Sequence, residues 1–289
     1  MFDFCRLLLG TIVLRPYVFA FLAVFLAAAA THLGWRRTLF FLPLGYGLAW
    51  LSEYSSIHWG FPYGDYFYIP STRDRELWVF GVPFMDSLSY VFLSYCSYSM
   101  ALFILSPVLL SKSRVVILET HKLRRSLQTL VLGAFLFVLL DIIIDPVALR
   151  GDRWFLGQIY GYRENGLYFG IPMSNFGGWL LVGLAMIAVL QALDNLPSLK
   201  PKKPPTLTRI PGIGLLGPLL YICVLAFNLA ITFWIGEWFL GIVGCTILFF
   251  PSLLVLLFTL YKHNSLSPTH LAQHARDFPQ LEVTRPSLP

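Results

Sequence analysis

Charged residues are scarce in this sequence, making up 12% of its 289 residues, whereas 57% are hydrophobic and 16% are aromatic. Soluble domains carry about twice that charged fraction. Several apolar runs exceed the roughly 18 residues that mark a candidate transmembrane helix. The scarcity of charge therefore excludes an ordinary soluble domain and predicts an integral membrane protein.

Cysteine is also scarce, and a common catalytic motif is absent. The four cysteines, Cys5, Cys96, Cys223 and Cys245, lie in separate segments without CxxC spacing. This spacing argues against a disulfide framework or a zinc site, and buried apolar side chains are the simpler interpretation. No GxSxG nucleophile elbow occurs, which argues against a serine hydrolase of that kind.

The apolar runs predict an all-α, polytopic membrane bundle of about seven transmembrane helices. The predicted spans are 17–34, 38–57, 84–110, 126–149, 172–193, 212–234 and 237–260. The run Leu7–Leu14 is too short to cross and is expected at the membrane–water interface. A cleaved signal peptide is the competing interpretation, against which Asp3 and the length of the apolar run both count. We expect one membrane domain over 1–262 and a polar, disordered tail over 263–289.

The basic residues predict the orientation of these spans. Fourteen of the 21 lysines and arginines follow the first, third, fifth or seventh span. Cytoplasmic loops are enriched in both residue types. We therefore expect a protein of the cell (inner) membrane with its N-terminus outside and its C-terminus in the cytoplasm. The basic residues are not interleaved with a stacking surface, so nucleic acid is not an expected partner.

The stretch Leu51–Ile69 departs from the pattern of an ordinary span. It begins as the end of a hydrophobic segment that carries Glu53, and it continues into a loop rich in aromatic residues, glycine and proline. Long loops are usually functional or disordered, and this one is too aromatic for disorder. We therefore expect the loop His58–Pro83 to fold back over the outer mouth of the bundle.

An internal repeat is visible around two short motifs. The segment Phe80–Asp86, FGVPFMD, resembles the segment Phe169–Asn175, FGIPMSN. Glu53 precedes the first copy by nearly the same distance as Asp141 precedes the second. Proline suits a helix start, so each copy predicts an acid at a helix exit, an aromatic loop and a polar residue at the next helix entry. We therefore predict that the second and third spans form one copy of a repeated unit and that the fourth and fifth spans form the other. The two copies run in the same direction, with a site at their interface.

Five polar residues are placed by this repeat at the outer end of the bundle. They are Glu53, Asp86, Asp141, Asp145 and Asn175. Carboxyl groups within a membrane are costly, so they are functional by default. Structural pairing with Arg150 or Arg153 is the alternative. Because burial and neighbouring charges separate the protonation states of such groups, the cluster can supply both an acid and a base.

Aromatic side chains near this cluster suit a cationic intermediate, because their π faces attract positive charge. The residues predicted to bind the substrate are His58, Trp59, Tyr63, Tyr66, Tyr90, Tyr168 and Trp179. For His58, a proton shuttle and a capping or interfacial role are both open. Acid, base, aromatic walls and access from lipid together suit proton-initiated chemistry on an alkene.

Two further motifs are not expected to be sites. The segment Gly212–Gly217 fits GxGxxG, but it opens a membrane span and no strand precedes it, so a nucleotide site is not predicted. His270 and His274 have helical spacing but lack the glutamate of a zinc-protease helix. No metal site is therefore predicted.

Four stretches of the sequence resemble a known membrane family. These are EYSSIHWGFPYGDYFY, VPFMDSLSYVF, DIIIDPVA and YFGIPMSNFGGW. They are similar to the family labelled carotenoid biosynthesis protein, which includes carotenoid 1,2-hydratases of the bisanhydrobacterioruberin hydratase and γ-carotene hydratase types. The resemblance covers about residues 40–185. It implies the addition of water to the terminal C1–C2 double bond of an acyclic carotenoid end group.

The resulting hypothesis is a carotenoid hydratase that needs no cofactor. Its expected partners are a carotenoid drawn from the lipid bilayer and other enzymes of the carotenoid pathway. Asp141 and Glu53 are the leading candidates for the proton donor, with Asp86 or Asp145 activating water and Asn175 orienting it. A carotenoid end-group cyclase begins with the same protonation and is the nearest alternative. A proton or ion pathway is the alternative from another class, and a retinal-binding protein is disfavoured because every lysine lies in a predicted loop.

Overall fold

The computed structural model describes residues 2–111, 114–199, 212–264 and 266–278. Its helices are α1 Phe2–Leu14, α2 Pro16–Ala29, α3 Trp35–Trp59, α4 Phe84–Leu105, α5 His121–Arg124, α6 Leu127–Ala148, α7 Met173–Asn195, α8 Leu216–Trp234, α9 Trp238–Asn264 and α10 Pro268–Asp277. Within the described residues, six helical segments are long and apolar enough to cross a membrane. The chain is therefore an all-α, multi-pass membrane protein, as its sequence predicts.

The first of these segments crosses the bundle twice. It runs from Pro16 to Trp59, and a π-helical turn at Ala30–Gly34 separates α2 from α3. Gly34 has φ 92°, a conformation that favours glycine and breaks the helix. Tyr17 and Glu53, near the two ends of the segment, line one cavity. The two legs are thus separate passes, which makes seven in the described part of the chain.

Four helices form the centre of the bundle. α3 packs against α4 and α7, and α6 packs against the same two helices. α2 and α8 cover the outer side of α4, and α9 packs against α8. α4 is the most buried of the spanning helices, with 78% of its central window enclosed. This arrangement leaves the start of α4 and the ends of α3 and α6 close together.

Short strands connect the loops at that end. β1 Tyr66–Tyr68 pairs antiparallel with β6 Tyr160–Tyr162, so that Tyr66 lies opposite Tyr162 and Tyr68 lies opposite Tyr160. β2 Trp78–Val79 pairs with β3 Val82–Pro83. At the other end of the bundle, β4 Val108–Ser111 pairs with β5 Arg114–Ile117. The β1–β6 pair joins the loop after α3 to the loop after α6.

The two segments of the sequence repeat fold alike. Phe80 and Phe169 have φ 50° and 51°, and each is followed by a glycine with positive φ. Each of these pairs sits in a tight antiparallel turn, between paired residues Val79 and Val82 in the first copy and Tyr168 and Ile171 in the second. Two-residue hairpin turns of one common type require positive φ at both central positions. The antiparallel β1–β6 pair at their junction, and the matching contacts of α3 with α7 and of α6 with α4, are those expected of two copies related by an approximate twofold axis.

A buried charged cluster lies at the opposite end, which we call the arginine end. Asp194 pairs with Arg37 at 2.9 Å and with Arg125 at 3.0 Å. Glu119 pairs with Arg124 at 2.7 Å and with His32 at 2.9 Å. Although burial opposes it, these partners hold the pKa of Glu119 below its usual range. The paired charges tie α3, α5, α7 and the π-helical turn before α3 together at this end.

The structure differs from the sequence predictions in three places. α4 ends at Leu105, and residues 108–111 form β4 instead of continuing the span, because Pro107 forces Ser106 into an extended conformation. The tail contains α10, whose His274 Nδ1 lies 2.7 Å from the Glu119 carbonyl oxygen. Within the predicted disordered tail, 279–289 lies outside the described residues. The side chains of Cys5, Cys223 and Cys245 are exposed on the outer faces of their helices, and only Cys96 is buried among the four.

Candidate active site

The repeat brings five polar side chains to one end of the bundle, which we call the acid end. In the first copy, Glu53 lies near the end of α3 and Asp86 lies in the first turn of α4. In the second copy, Asp141 and Asp145 lie one turn apart near the end of α6, and Asn175 lies in the first turn of α7. The prediction that these residues share one end of the bundle is confirmed.

Tyr68 links the two acids of the first copy. Its hydroxyl lies 2.7 Å from Asp86 Oδ2 and 3.1 Å from Glu53 Oε1, and the Ser87 hydroxyl donates to Glu53 Oε2. A phenol has a single hydrogen, so Tyr68 can donate to only one of the two carboxyl groups at a time. A hydrogen on one of the two carboxyl groups would allow both contacts to be full hydrogen bonds. This pair is therefore suited to holding a proton.

The second copy is bonded differently. The Asn175 amide donates to Asp141 Oδ2 at 2.7 Å and to Asp145 Oδ2 at 3.1 Å. The hydroxyls of Tyr160 and Tyr162 also donate to Asp145, the latter at 2.6 Å. An amide has two hydrogens to give, so every contact is satisfied without a hydrogen on Asp145. This side of the site therefore suits a proton acceptor.

Tyrosines of the paired strands form a roof over these acids. Burial raises the pKa of Tyr68, Tyr160 and Tyr162 well above the usual value, and the neighbouring carboxyl groups raise it further. The three side chains therefore stay neutral phenols and remain hydrogen-bond donors at physiological pH. The Tyr66 ring lies 5.4 Å from Tyr68 and 6.3 Å from Tyr160, measured between ring centroids, and so joins the two halves of the roof.

Basic side chains at the acid end pair with other groups. Arg150 pairs with Glu237 at 3.3 Å, and Arg153 pairs with the same carboxylate. Arg15 pairs with Glu76 at 3.0 Å. In the part of the chain that the structure describes, none of the four clustered acids has a basic partner within 4.0 Å. The alternative in which Arg150 or Arg153 clamps the acids is therefore wrong.

A cavity of about 130 Å³ lies beneath the roof. Its polar side is lined by Glu53, Asp86, Asp145 and Asn175. Next to them, the rings of Tyr90 and Trp179 stack with centroids 4.6 Å apart. Among the described residues, no group of three or more His, Cys, Asp and Glu side chains is arranged to hold a metal ion. The cavity thus places hydrogen-bonded acids against an aromatic wall.

Comparison with known families identifies the family to which this chain belongs. The family described as carotenoid biosynthesis protein matches residues 7–251, which is most of the chain. The chain belongs to the carotenoid biosynthesis protein family. Membership gives it a role in carotenoid biosynthesis, as an enzyme of that pathway. No curated protein matches the chain, and no solved structure does so.

Most of the residues predicted to bind substrate line the cavity of this carotenoid biosynthesis protein. They are Tyr63, Tyr66, Tyr90 and Trp179. His58 is exposed and its Nδ1 lies 2.8 Å from the Tyr54 carbonyl oxygen, while Trp59 is 72% exposed. A helix turns by about 100° per residue, so residues five and six positions after Glu53 face away from the cavity. The structure therefore does not bring His58 and Trp59 to the acids.

Two other predicted residues also lie off the cavity. Tyr168 packs its ring against Phe169 and Phe176 in the second turn of the repeat. Asp141 is fully buried behind Asn175, and its Oδ1 atom has no hydrogen-bond partner. Of the two leading proton donors, only Glu53 therefore reaches the space in which a substrate would bind.

Several cavity residues of this family member were not predicted from the sequence. They are the hydroxyl donors Tyr68, Tyr160 and Tyr162 and the aromatic residues Tyr17, Phe21, Trp154 and Phe227. Ser87, which donates to Glu53 but does not line the cavity, was not predicted either. The triplets Tyr-Phe-Tyr and Tyr-Gly-Tyr were a usable signal, because alternate residues of a strand point to the same face. Tyr17 and Phe21 had no such signal, since α2 is apolar on all sides. On α8, the polar Asn228 next to Phe227 also lines the cavity and was a usable signal.

Proposed function

We propose that this protein is a carotenoid hydratase that adds water to the terminal C1–C2 double bond of an acyclic end group. The observation that carries the proposal is the position of Tyr68 between Glu53 and Asp86. Its single hydrogen leaves one of these two contacts to be made by a protonated carboxyl group. Protonation of an alkene requires such an acid, held in a dry and apolar site.

Glu53 is the proton donor in this proposal. The Tyr68 hydroxyl is closer to Asp86, at 2.7 Å, than to Glu53, at 3.1 Å. Tyr68 thus donates to Asp86, and Glu53 carries the hydrogen that completes the second contact. Asp141 does not line the cavity, and we assign it the role of positioning Asn175 through their 2.7 Å hydrogen bond.

The reaction then proceeds in two balanced steps. Glu53 gives its proton to C2, the C1–C2 π bond breaks, and a tertiary cation forms at C1. The ring faces of Tyr90 and Trp179 stabilise that cation electrostatically. A water molecule adds to C1, and its extra proton passes to Asp145, which is oriented by Tyr160, Tyr162 and Asn175. The carboxyl groups exchange protons through the roof and solvent to restore the acid.

The direct test is pigment analysis in a host that makes an acyclic carotenoid. We expect Glu53→Gln to reduce hydration by at least about a hundredfold, because loss of a general acid typically has that effect. Glu237→Gln is the matched control, since this carboxylate lies at the same end but pairs with Arg150 and Arg153. Full hydration by the Glu53→Gln, Asp141→Asn double variant would falsify the assignment.

The same experiment separates the hydratase from the cyclase. Hydration raises the pigment mass by one water, whereas cyclisation leaves the mass unchanged and alters the absorption spectrum. If the wild-type product has an unchanged mass, the reaction is therefore ring closure instead of hydration, and the proton donor is the same. Cofactor independence is tested by the same conversion with purified protein in vesicles without added nucleotide or metal.

We also propose the orientation and the partners of this protein. Positive charge is enriched in cytoplasmic loops, so the arginine end would face the cytoplasm of the cell (inner) membrane and the acid end would face outward. The substrate would come from the bilayer, alongside other enzymes of the pathway. This orientation can be tested with a single cysteine introduced at the exposed Trp59 position. A reagent that cannot cross the membrane should label this cysteine in intact cells.

A further inference from the structure

The cavity continues beyond the acids into a second, apolar arm. We call this the apolar arm, and it is formed by Tyr17, Val18 and Phe21 of α2, Leu93 of α4, and Val224 and Phe227 of α8. Val18, Leu93 and Val224 are buried. They form the inner part of the arm, adjoining the acids through the rest of the cavity wall.

The outer part of the apolar arm reaches the surface of the bundle. Tyr17, Phe21 and Phe227 line the cavity yet are only half-buried. The rings of Tyr17 and Phe227 stack with centroids 5.2 Å apart, and the ring of Phe21 lies 5.7 Å from Phe227. These three rings lie in the seam between α2 and α8, two helices whose outer faces are apolar. The seam therefore lies between the cavity and the hydrocarbon side of the protein.

The chemistry of this seam selects an apolar occupant. None of its six residues is charged, and the nearby Asn228 amide donates to the Val224 carbonyl oxygen at 2.9 Å instead of facing a ligand as a free donor. Aromatic and aliphatic walls bind extended hydrocarbon through contact area and desolvation. The Tyr17 hydroxyl, in the outer part of the arm, is the only polar side-chain group among these six residues, so a polar substrate or an ion would gain few hydrogen bonds along this path.

The size of the cavity points to the same occupant. A volume of about 130 Å³ is close to that of an engineered apolar cavity of about 150 Å³ that binds one benzene ring. Such a space accommodates the reacting end of a long isoprenoid but not the remainder of its chain. The remainder must leave the cavity while the end is bound, and the apolar arm is a path lined by aromatic and aliphatic side chains.

We infer that the seam between α2 and α8 is the site through which a linear polyene enters from the bilayer and in which its chain lies during the reaction. Phe227 and Tyr17 then determine which chains are accepted. The identity of the occupant as a carotenoid chain rests on the proposed function. The path itself rests only on the shape and lining of the cavity.

The first experiment narrows the seam and compares two substrates with the same reacting end. Phe227→Trp is expected to raise KM for a long acyclic carotenoid about tenfold, the scale on which hydrophobic pockets discriminate. KM for a short acyclic terpene with the same terminal double bond should change less than about twofold, because it fits within the cavity. Ile222→Trp is the matched control, since Ile222 lies on α8 and is 51% exposed.

Equal effects of Phe227→Trp on both substrates, or no effect on the long one, would overturn the inference. If the wild-type protein hydrates neither substrate, the proposed function fails and this comparison does not decide the path. A second measurement therefore uses no turnover. The probe is a linear prenyl hydrocarbon bearing a diazirine, photolysed in vesicles that contain the whole protein.

We expect the probe to label the peptides that contain Tyr17, Phe21 and Phe227. An unlabelled acyclic carotenoid should suppress the labelling of these peptides. Labels on the exposed face of α9, for example at Phe249 and Phe250, should persist because they report lipid contact alone. Phe227→Trp should remove the competed labels and leave those of α9. Competed labels elsewhere, or none on α2 and α8, would refute the entry path even if the protein is a hydratase.

Discussion

At the scale of single residues, the number of hydrogens around each acid separates the two halves of the site. Tyr68 offers one hydrogen to two carboxyl groups, whereas Asn175 offers two hydrogens to two carboxyl groups. In the proposed mechanism the first half therefore supplies the proton, and the contacts made by Asp145 in the second half are complete without a hydrogen on that carboxyl group. Acid and base are thus assigned by the donors around them as much as by the acids themselves.

Removing the Tyr68 hydroxyl tests this assignment. We expect Tyr68→Phe to lower hydration by about ten- to a hundredfold, because Glu53 loses the group that orients its proton. The fold should persist, since the ring that packs against Tyr66 and Trp78 is kept. Tyr98→Phe serves as the control, because that hydroxyl donates to the Arg124 carbonyl at the arginine end. Wild-type product levels from Tyr68→Phe would contradict the role given to the hydroxyl.

At the scale of elements, the close approach of α7 to the first aromatic loop fixes the aromatic wall. A Cβ atom at Gly178 would lie 2.7 Å from the Pro62 carbonyl oxygen and 2.5 Å from Tyr63 Cδ1. The neighbouring position Gly177 has nothing within 4 Å. Only glycine therefore lets this face of α7 touch the loop that carries Tyr63.

The two adjacent glycines provide a matched pair of variants. Gly178→Ala should destabilise the protein by about 2 kcal/mol, as overpacking of a tight contact does. Gly177→Ala should be neutral or stabilising by up to about 1 kcal/mol, because alanine favours a helix more than glycine. Unfolding in mixed micelles measures both values. Similar changes for the two variants would show that α7 does not depend on this approach.

At the scale of the whole molecule, one buried ion pair joins distant parts of the chain around the site. Arg15 and Glu76 are 1% and 0% exposed and form two hydrogen bonds of 3.0 Å. Arg15 also donates to the Leu156 carbonyl oxygen. The start of α2, the loop after α3 and the loop after α6 therefore meet at one guanidinium group beside the cavity.

Breaking this pair should unfold the acid end more readily. Arg15→Met is expected to cost about 3–5 kcal/mol, because it leaves the Glu76 carboxylate buried without a partner. The Arg15→Met, Glu76→Met double variant should recover a large part of that loss. Arg6→Met is the control: its pair with Asp3 is exposed, and such pairs contribute about 0–1 kcal/mol. A double variant as unstable as Arg15→Met would show that the carboxylate is not the cause.

The parts of this molecule that were predictable are those that local sequence determines. Long apolar runs mark the helices, and the spacing of Glu53 and Asp141 from their FG-P motifs places both acids at one end. The rotation of each helix is not local information. It places Trp59 on the exposed side of α3, and it places Tyr17 and Phe21 in the cavity on α2, a helix that is apolar on every side. Helices without a polar face give no periodic signal for their buried side.

The approximate twofold axis also bears on the history of the chain. Such an axis within one polypeptide is the symmetry that a dimer of identical half-length chains would have. In that dimer every acid, turn and tyrosine would occur twice, and neither half could differ from the other. Joining the halves in one chain frees each copy to change alone. Asp86 in one copy and Asn175 in the other are such a difference, which a strictly symmetric pair of identical chains could not hold.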